Sequence, residues 1–175
     1  MRLSSRITRP AIVAFAAGLA LASGATAATA ATAGDQEAAA KYRLTPYGYG
    51  KLRIGESAKA ALRSGAIVVK QRERYCIGFD LKGHPTGRKS VGGYISKKYG
   101  VALITAPKGV STTRGIHAGS SLAQLKRAYP GVRRDIHGYY DVTAPGNRKA
   151  QYSFEVHHGK VTEVMLDLKR QDCFN

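Results

Sequence analysis

The sequence predicts an α+β fold built from two β-α-β-β-β repeats, each a short helix packed on an antiparallel sheet. The first observation is a pair of similar segments, "LRIGESAKAAL" and "IHAGSSLAQL". The second is that apolar and polar residues alternate with a period of two after each segment, which is typical of half-buried strands. A strand, a helix and further strands that recur in the same order indicate an internal duplication.

Each of the two segments contains the start signals of a helix. An alternating apolar stretch ends at Gly55 in the first segment and at Gly119 in the second, and a serine follows two residues later. Ser57 and Ser121 are therefore expected to be N-caps, because a serine hydroxyl accepts a hydrogen bond from a free N–H of the first helical turn. Gln124 completes a capping-box pattern in the second segment only.

The helices are expected to be short. Apolar residues recur at helical spacing after each serine, and Gly65 and Pro130 are typical stop signals. Turn residues then divide the following segments into strands, which we expect near residues 75–81, 91–96, 100–106, 138–142, 150–157 and 160–168.

The first 33 residues have the pattern of a secretory signal peptide. Three arginines precede the uncharged run "AIVAFAAGLALASGA", and small-residue cleavage sites follow in "TAATAATAG". The run has roughly 15 residues, whereas a membrane span needs about 20. We therefore expect a secreted protein, extracellular or cell-wall-associated, with no membrane span. Residues 34–47 are expected to be a flexible lead-in, followed by the first repeat at 48–110 and the second at 111–175.

The two cysteines, Cys76 and Cys173, both lie in the part expected to be exported. In an oxidising compartment such a pair is expected to form a disulfide. Closing a loop of roughly 98 residues stabilises a fold by about 4–5 kcal/mol in the chain-entropy model. The cysteines have no clustered histidines, so they do not indicate a zinc site.

The chain is strongly basic, with a formal net charge of +17. Such a charge attracts polyanions, including anionic cell-wall polymers, nucleic acid and acidic proteins. The lysines and arginines are spread along the chain in pairs and form no long run. A solvated, solubilising surface therefore remains an alternative explanation of the charge.

The helix-opening segments and their following strands resemble a known architecture. They are similar to the tandem repeat of the beta-lactamase inhibitory protein family and to small outer-membrane-assembly lipoproteins of the SmpA/OmlA type. The stretches "YGYGKLRIG", "GHPTG" and "QDCFN" also resemble a group of secreted actinobacterial proteins. The first resemblance implies one curved sheet whose concave face grips an enzyme. Glu56 and Ser120 stand where that family's turn has methionine, and no contact residue of the inhibitor can be transferred to this chain.

No catalytic motif is visible in the sequence. The serines lack the Gly-x-Ser-x-Gly pattern, and "SVGGY" is not followed by a phosphate-binding helix. Histidine is the side chain that titrates near neutral pH, so His84 and the pair His157 and His158 are the candidates for a small hydrolase or wall-modifying enzyme. We expect no catalytic residue, no metal ligand and no cofactor.

Aromatic and basic side chains give the candidate binding residues. Tyrosines that alternate with cations can stack on bases or grip a protein surface. A polar loop with glycine, proline and basic residues can bind an anion. The candidate binding residues are Tyr47, Tyr49, His84, Arg88, Lys89, Tyr139 and Tyr140.

These features favour a secreted, non-enzymatic binding protein. Its partner would be an extracellular protein or an anionic cell-wall polymer, with nucleic acid less favoured. Inhibition of an extracellular enzyme is the sharpest form of this hypothesis. The alternatives are the small hydrolase described above and a basic protein that binds polyanions without a protein partner.

Overall fold

The computed structural model describes residues 43–174. The predicted signal peptide and residues 34–42 of the predicted lead-in lie outside the described residues. The elements in chain order are β1 (Arg43–Leu44), β2 (Gly48–Tyr49), β3 (Leu52–Arg53), α1 (Ala58–Arg63), β4 (Ile67–Arg72), β5 (Cys76–Leu81), β6 (Gly93–Ser96), β7 (Gly100–Thr105), β8 (Ser111–Thr112), α2 (Leu122–Ala128), β9 (Arg133–Arg134), β10 (Tyr140–Thr143), β11 (Ala150–His157) and β12 (Lys160–Leu168).

Eight of these strands form one antiparallel sheet. Their order across the sheet is β4-β5-β6-β7-β12-β11-β10-β9. The two central strands, β7 and β12, pair through Leu103–Asp167, Ile104–Leu166 and Thr105–Met165. The remaining strands form the pairs β1–β8 and β2–β3.

The predicted α+β fold of two β-α-β-β-β repeats is wrong. The described residues are mostly β, and their two helices have only six and seven residues. Strands from both predicted repeats belong to one sheet, which is continuous across the predicted boundary at residue 110 because β7 pairs with β12.

Two strands that the sequence did not reveal explain part of this difference. Ile67–Arg72 and Arg133–Arg134 are the outermost strands of the sheet. Both follow a helix closely and carry exposed polar or basic residues, so neither shows a clear alternation of apolar and polar positions. By contrast, the six strands expected from the alternation lie within about two residues of their predicted bounds, the usual uncertainty of element ends.

The helix starts agree with the sequence signals. The backbone N–H of Ala60 donates to Ser57 Oγ (3.2 Å), and that of Gln124 donates to Ser121 Oγ (3.1 Å). The N–H of Ser121 donates in turn to Gln124 Oε1 (2.7 Å), which completes the capping box. Gly119 has a φ of 101°, a value that favours glycine at this turn.

The end of the predicted lead-in is part of the fold and is not a flexible segment. Leu44 is fully buried, and β1 pairs in parallel with β8. The hydroxyl of Tyr152 donates to the carbonyl oxygen of Leu44 (2.8 Å). These contacts tie residues 43–44 to the core, because a buried leucine and its paired backbone would be costly to release.

The hydrophobic core lies between the helices and one face of the sheet. Ala61 of α1 and Leu125 of α2 are fully buried in it. Tyr129, at the end of α2, packs against Tyr152 and Phe154, with ring centroids 5.7 and 5.6 Å away. Within residues 43–174, neither helix is long and apolar enough to cross a membrane.

The predicted disulfide is confirmed. Cys76 Sγ and Cys173 Sγ are bonded, and the two Cα atoms are 5.7 Å apart. The bond fixes the C-terminal segment beside the start of β5.

Candidate functional site

The face of the eight-stranded sheet opposite the helices carries a cavity. Ile104 and Leu166 point into the core, whereas their chain neighbours Leu103 and Asp167 line the cavity on the other face. This follows from the strand geometry, since successive side chains point to opposite faces. The cavity has a volume of about 440 Å³. We call this side of the sheet the open face.

The C-terminal segment forms one wall of the cavity. Phe174 and Gln171 line it, and the Phe174 ring packs against Tyr94, with centroids 6.2 Å apart. Gln171 Oε1 accepts hydrogen bonds from the N–H groups of Cys173 (2.6 Å) and Phe174 (3.0 Å). The disulfide and this glutamine turn therefore hold an aromatic ring over the open face.

The opposite wall is the turn between β9 and β10. Asp135, His137 and Tyr139 of this turn line the cavity. The carboxylate of Asp135 accepts hydrogen bonds at Oδ1 from the N–H groups of His137 (3.0 Å) and Tyr139 (2.7 Å). These bonds fix the turn, and Tyr139 stays 38% exposed at the rim.

The floor of the cavity is polar and acidic. Asp141 on β10 lies opposite Ser153 on β11, and Ser153 lies opposite Met165 on β12. Ser153 Oγ donates to Asp167 Oδ1 (2.8 Å). Asp141 Oδ1 is buried and has no hydrogen-bond partner among the described residues. Such an oxygen is costly to bury alone, so the floor has an unused acceptor.

Burial raises the pKa of Asp167 to about 7, since water no longer stabilises the ionised form. The hydrogen bond from Ser153 acts in the opposite direction, and the neighbouring charge of Asp141 raises the pKa further. Near neutral pH this carboxyl group is therefore protonated in part of the molecules.

The pKa values of Asp141 and Glu163 are raised as well. Burial is the main cause of the raised pKa of Asp141, and the charge of Asp135 adds to it, whereas a hydrogen bond with Ser153 and the charge of His137 act in the opposite direction. Burial likewise raises the pKa of Glu163, and the nearby charge of Glu155 adds to the effect. Burial and mutual repulsion thus disfavour ionisation of the group.

These carboxylates form no salt bridge within residues 43–174. The salt bridges in that range are Lys70–Asp80 (3.3 Å) and His157–Glu155 (3.2 Å), and none of these four residues lines the cavity. In a chain with 28 lysines and arginines, unneutralised carboxylates in a cavity are an unusual arrangement.

The candidate residues from the sequence fall into separate groups. Lys89 and Tyr139 line the cavity. Tyr140, next in the chain, packs against the core. Tyr47 donates through its hydroxyl to the carbonyl oxygen of Gly146 (2.8 Å).

Tyr49 and His84 form a further group, with Tyr49 Oη 3.4 Å from His84 Nε2 and the rings edge-on. Tyr49 is largely buried. His157 pairs with Glu155 at the hairpin between β11 and β12, and His158 follows with a φ of 47°. The two histidine sites proposed for a hydrolase therefore lie on different elements.

The polar loop between β5 and β6 is held in place by hydrogen bonds to Lys70 and Asp80, which form a salt bridge. Lys70 Nζ donates to Asp80 Oδ2 (3.3 Å) and to the carbonyl oxygens of Gly87 (2.8 Å) and Ser90 (2.6 Å). Asp80 also accepts from the Thr86 hydroxyl (2.7 Å). These bonds outweigh the effect of burial and lower the pKa of Asp80. The loop, which carries Arg88 and Lys89, is thereby shaped by side chains beneath it.

Sequence reasoning missed most of the cavity residues. The missed residues include Tyr94, Asp141, Ser153, Glu163, Met165, Asp167 and Phe174. A signal was present in "TEVMLDL", where Glu163, Met165 and Asp167 alternate with core residues. Side chains at every second position of a strand lie on one face, so Glu163 and Asp167, on either side of Met165, mark a face with acidic residues.

We compared the chain with models of protein families, with curated proteins and with solved structures, and none of them matches it.

Proposed function

We propose that this is a secreted, non-enzymatic binding protein that holds a partner protein on the open face of its sheet. The observation that carries the proposal is the 440 Å³ cavity on a sheet face that the helices leave uncovered. Ligand sites are typically concave, with apolar and aromatic walls and a few converging polar groups. Inhibition of an extracellular enzyme, as the sequence resemblance implies, is the sharpest form of this proposal.

The side chains that line the cavity support the binding of a partner protein. Leu103, Met165 and the rings of Tyr94 and Phe174 provide apolar surface. Aromatic and methionine side chains are enriched in the central parts of protein interfaces. The two ends of the cavity are fixed by the disulfide and by the Asp135 turn, so a partner would meet a pre-formed surface.

The proposal can be tested by filling the cavity with a side chain. Thr105 lines the cavity on β7, so Thr105→Trp is expected to occlude it. The matched control is Ala123→Trp, which adds the same ring to an exposed position of α2. Partners are captured by the wild-type protein from the exported proteins of the organism that makes it, and are identified by mass spectrometry.

We expect an identified partner protein to bind wild type and Ala123→Trp but not Thr105→Trp, at low and high salt alike. Packed protein interfaces persist in salt, whereas phosphate-type contacts weaken steeply. Equal capture by both tryptophan variants would refute binding at the open face. Capture of polyanions alone, lost at high salt, would favour the polyanion alternative.

A further inference from the structure

The cavity is an acidic site in a basic protein. Four of its lining residues carry carboxyl groups: Asp135, Asp141, Glu163 and Asp167. Asp167 is only 4% exposed, and Asp141 Oδ1 is buried without a hydrogen-bond partner. Buried carboxylates ordinarily have a cation or several donors beside them. Lys89 and Lys169 also line the cavity but form no salt bridge with these carboxylates, and Lys169 Nζ donates to Thr143 Oγ1 (2.6 Å).

The carboxylates are not arranged for a metal ion. In residues 43–174, one group of three possible ligands has its atoms within 4.8 Å of one another, and it comprises the disulfide cysteines and Asp172. Calcium and magnesium need several oxygen ligands at about 2–2.6 Å from one point. No three cavity carboxylates in the described range converge in this way, so a small divalent ion would lack ligands in the cavity.

The rest of the lining suits a cation on a hydrocarbon stem. Tyr94 and Tyr139 present aromatic rings, over whose faces a cation is attracted by the ring quadrupole. Leu103 and Met165 provide apolar surface between the rings and the acidic floor. A guanidinium group combines a planar set of donors for carboxylates with a face that stacks on aromatic rings.

We propose that the cavity binds the side chain of one arginine from the partner protein, with its guanidinium group against Asp141 and Asp167. This inference rests on the proposed function, because it names the group that the open face recognises. The arginine would supply donors to Asp141 Oδ1, which lacks a hydrogen-bond partner within the described chain, and would pair with carboxylates that form no salt bridge there.

The test uses N-acetyl-L-arginine amide as the probe and N-acetyl-L-citrulline amide as its neutral isostere. Binding to the full chain is followed by isothermal titration and by NMR shifts of cavity residues. We expect the citrulline derivative to bind at least about tenfold more weakly, because it lacks charge-assisted hydrogen bonds.

The variants are Asp141→Asn and Asp167→Asn, which each remove one carboxylate of the proposed contact without changing the side-chain size. The matched control is Glu73→Gln, which removes one negative charge at an exposed position before β5. We expect the cavity variants to weaken arginine binding about tenfold, and Glu73→Gln to leave it unchanged. Thermal unfolding checks that each variant is folded, and two cavity variants guard against the failure of one to fold.

Several results would overturn the inference. No binding of the arginine derivative, equal binding of the citrulline derivative, or unchanged binding in both cavity variants would each do so. Binding of spermidine without binding of the arginine derivative would assign the cavity to a free polyamine. If Thr105→Trp abolishes partner binding while Asp141→Asn and Asp167→Asn do not, the proposed function stands and the arginine inference falls.

Discussion

Asp167 lowers the stability of the folded protein but provides a carboxyl group to the cavity. It is almost fully buried on β12, and it accepts a hydrogen bond from Ser153. Burial raises its pKa to about 7, so the folded protein holds a proton there that the unfolded chain would release at lower pH. Keeping an aspartate in this position lowers stability near neutral pH, as is common for residues in functional sites.

The stability of the protein is therefore expected to depend on pH through Asp167. A raised pKa in the folded state gives stability that is fully present below the ordinary aspartate value of 3.8 and is lost as pH rises to about 7. Asp167→Asn removes this loss, and we expect it to raise the free energy of unfolding at pH 8 by at most about 4 kcal/mol. Urea unfolding at pH 5 and pH 8 measures the difference.

The control for this prediction is Asp172→Asn, at an exposed position five residues along the chain. It should leave the difference between the two pH values unchanged. A wild-type protein that is as stable at pH 8 as at pH 5, with no gain in Asp167→Asn, would contradict the assignment.

At the scale of elements, the C-terminal segment forms one wall of the cavity and is attached to β5 by the disulfide. Phe174 lies next to Cys173, and its ring packs on Tyr94 of β6. Residues beyond the last strand of a sheet are often poorly ordered unless they are tied down. The bond to Cys76 therefore both stabilises the fold and places the aromatic wall of the cavity.

Removing the disulfide is expected to affect stability and binding together. The double variant Cys76→Ser/Cys173→Ser should lose about 4 kcal/mol of unfolding free energy in the chain-entropy model, because the bond closes a loop of nearly 100 residues. It should also bind the arginine derivative more weakly, because Phe174 is released. Urea unfolding and isothermal titration measure the two effects.

Phe174→Ala in the oxidised protein separates these effects. It should weaken binding while leaving most of the stability contributed by the disulfide. Unchanged binding in both the serine variant and Phe174→Ala would show that the C-terminal wall plays no part in recognition.

Local signals in the sequence predicted individual elements well. Serine caps, the Ser121–Gln124 box, the alternating strands and the cysteine pair all depend on residues close in the chain or on a single pairing choice. The cavity could not be predicted in this way. It forms because the register places Asp141, Ser153 and Met165 side by side on three strands, and register is set by the whole sheet.

At the scale of the whole molecule, the fold class was the main error of the sequence interpretation. Two α+β repeats were expected, each with a helix packed on an antiparallel sheet, but the described residues are mostly β, and the pairing of β7 with β12 joins their strands into one eight-stranded sheet. A pairing between strands so distant in the chain has no local signature. The open face is a product of this joining, since two short helices cannot cover both sides of eight strands.

The net charge of the molecule and the charge of the cavity have opposite signs. The chain carries a net charge of +17, whereas the cavity is acidic. A positive surface favours the approach of an acidic partner, and the cavity then accepts a cation at short range. The two preferences together select an arginine that is surrounded by acidic residues.

This selection can be measured with two peptides that share a central arginine. One has glutamates on both sides of the arginine, and the other has lysines. We expect the glutamate-flanked peptide to bind more tightly, and the difference to shrink as salt is added, because the Debye length falls from about 10 Å at 0.1 M to about 3 Å at 1 M. Equal affinities at low salt would show that the basic surface does not contribute.

The position of Cys173 also determines the order of steps in the synthesis and folding of the protein. The partner cysteine lies in β5, so the bond that places Phe174 joins this strand to a residue synthesised 97 positions later. The sheet can assemble beforehand, but the cavity gains this wall only after Cys173 and Phe174 have been synthesised and the two thiols have been oxidised. A reduced chain, or one truncated before Cys173, would have the sheet without a finished binding site.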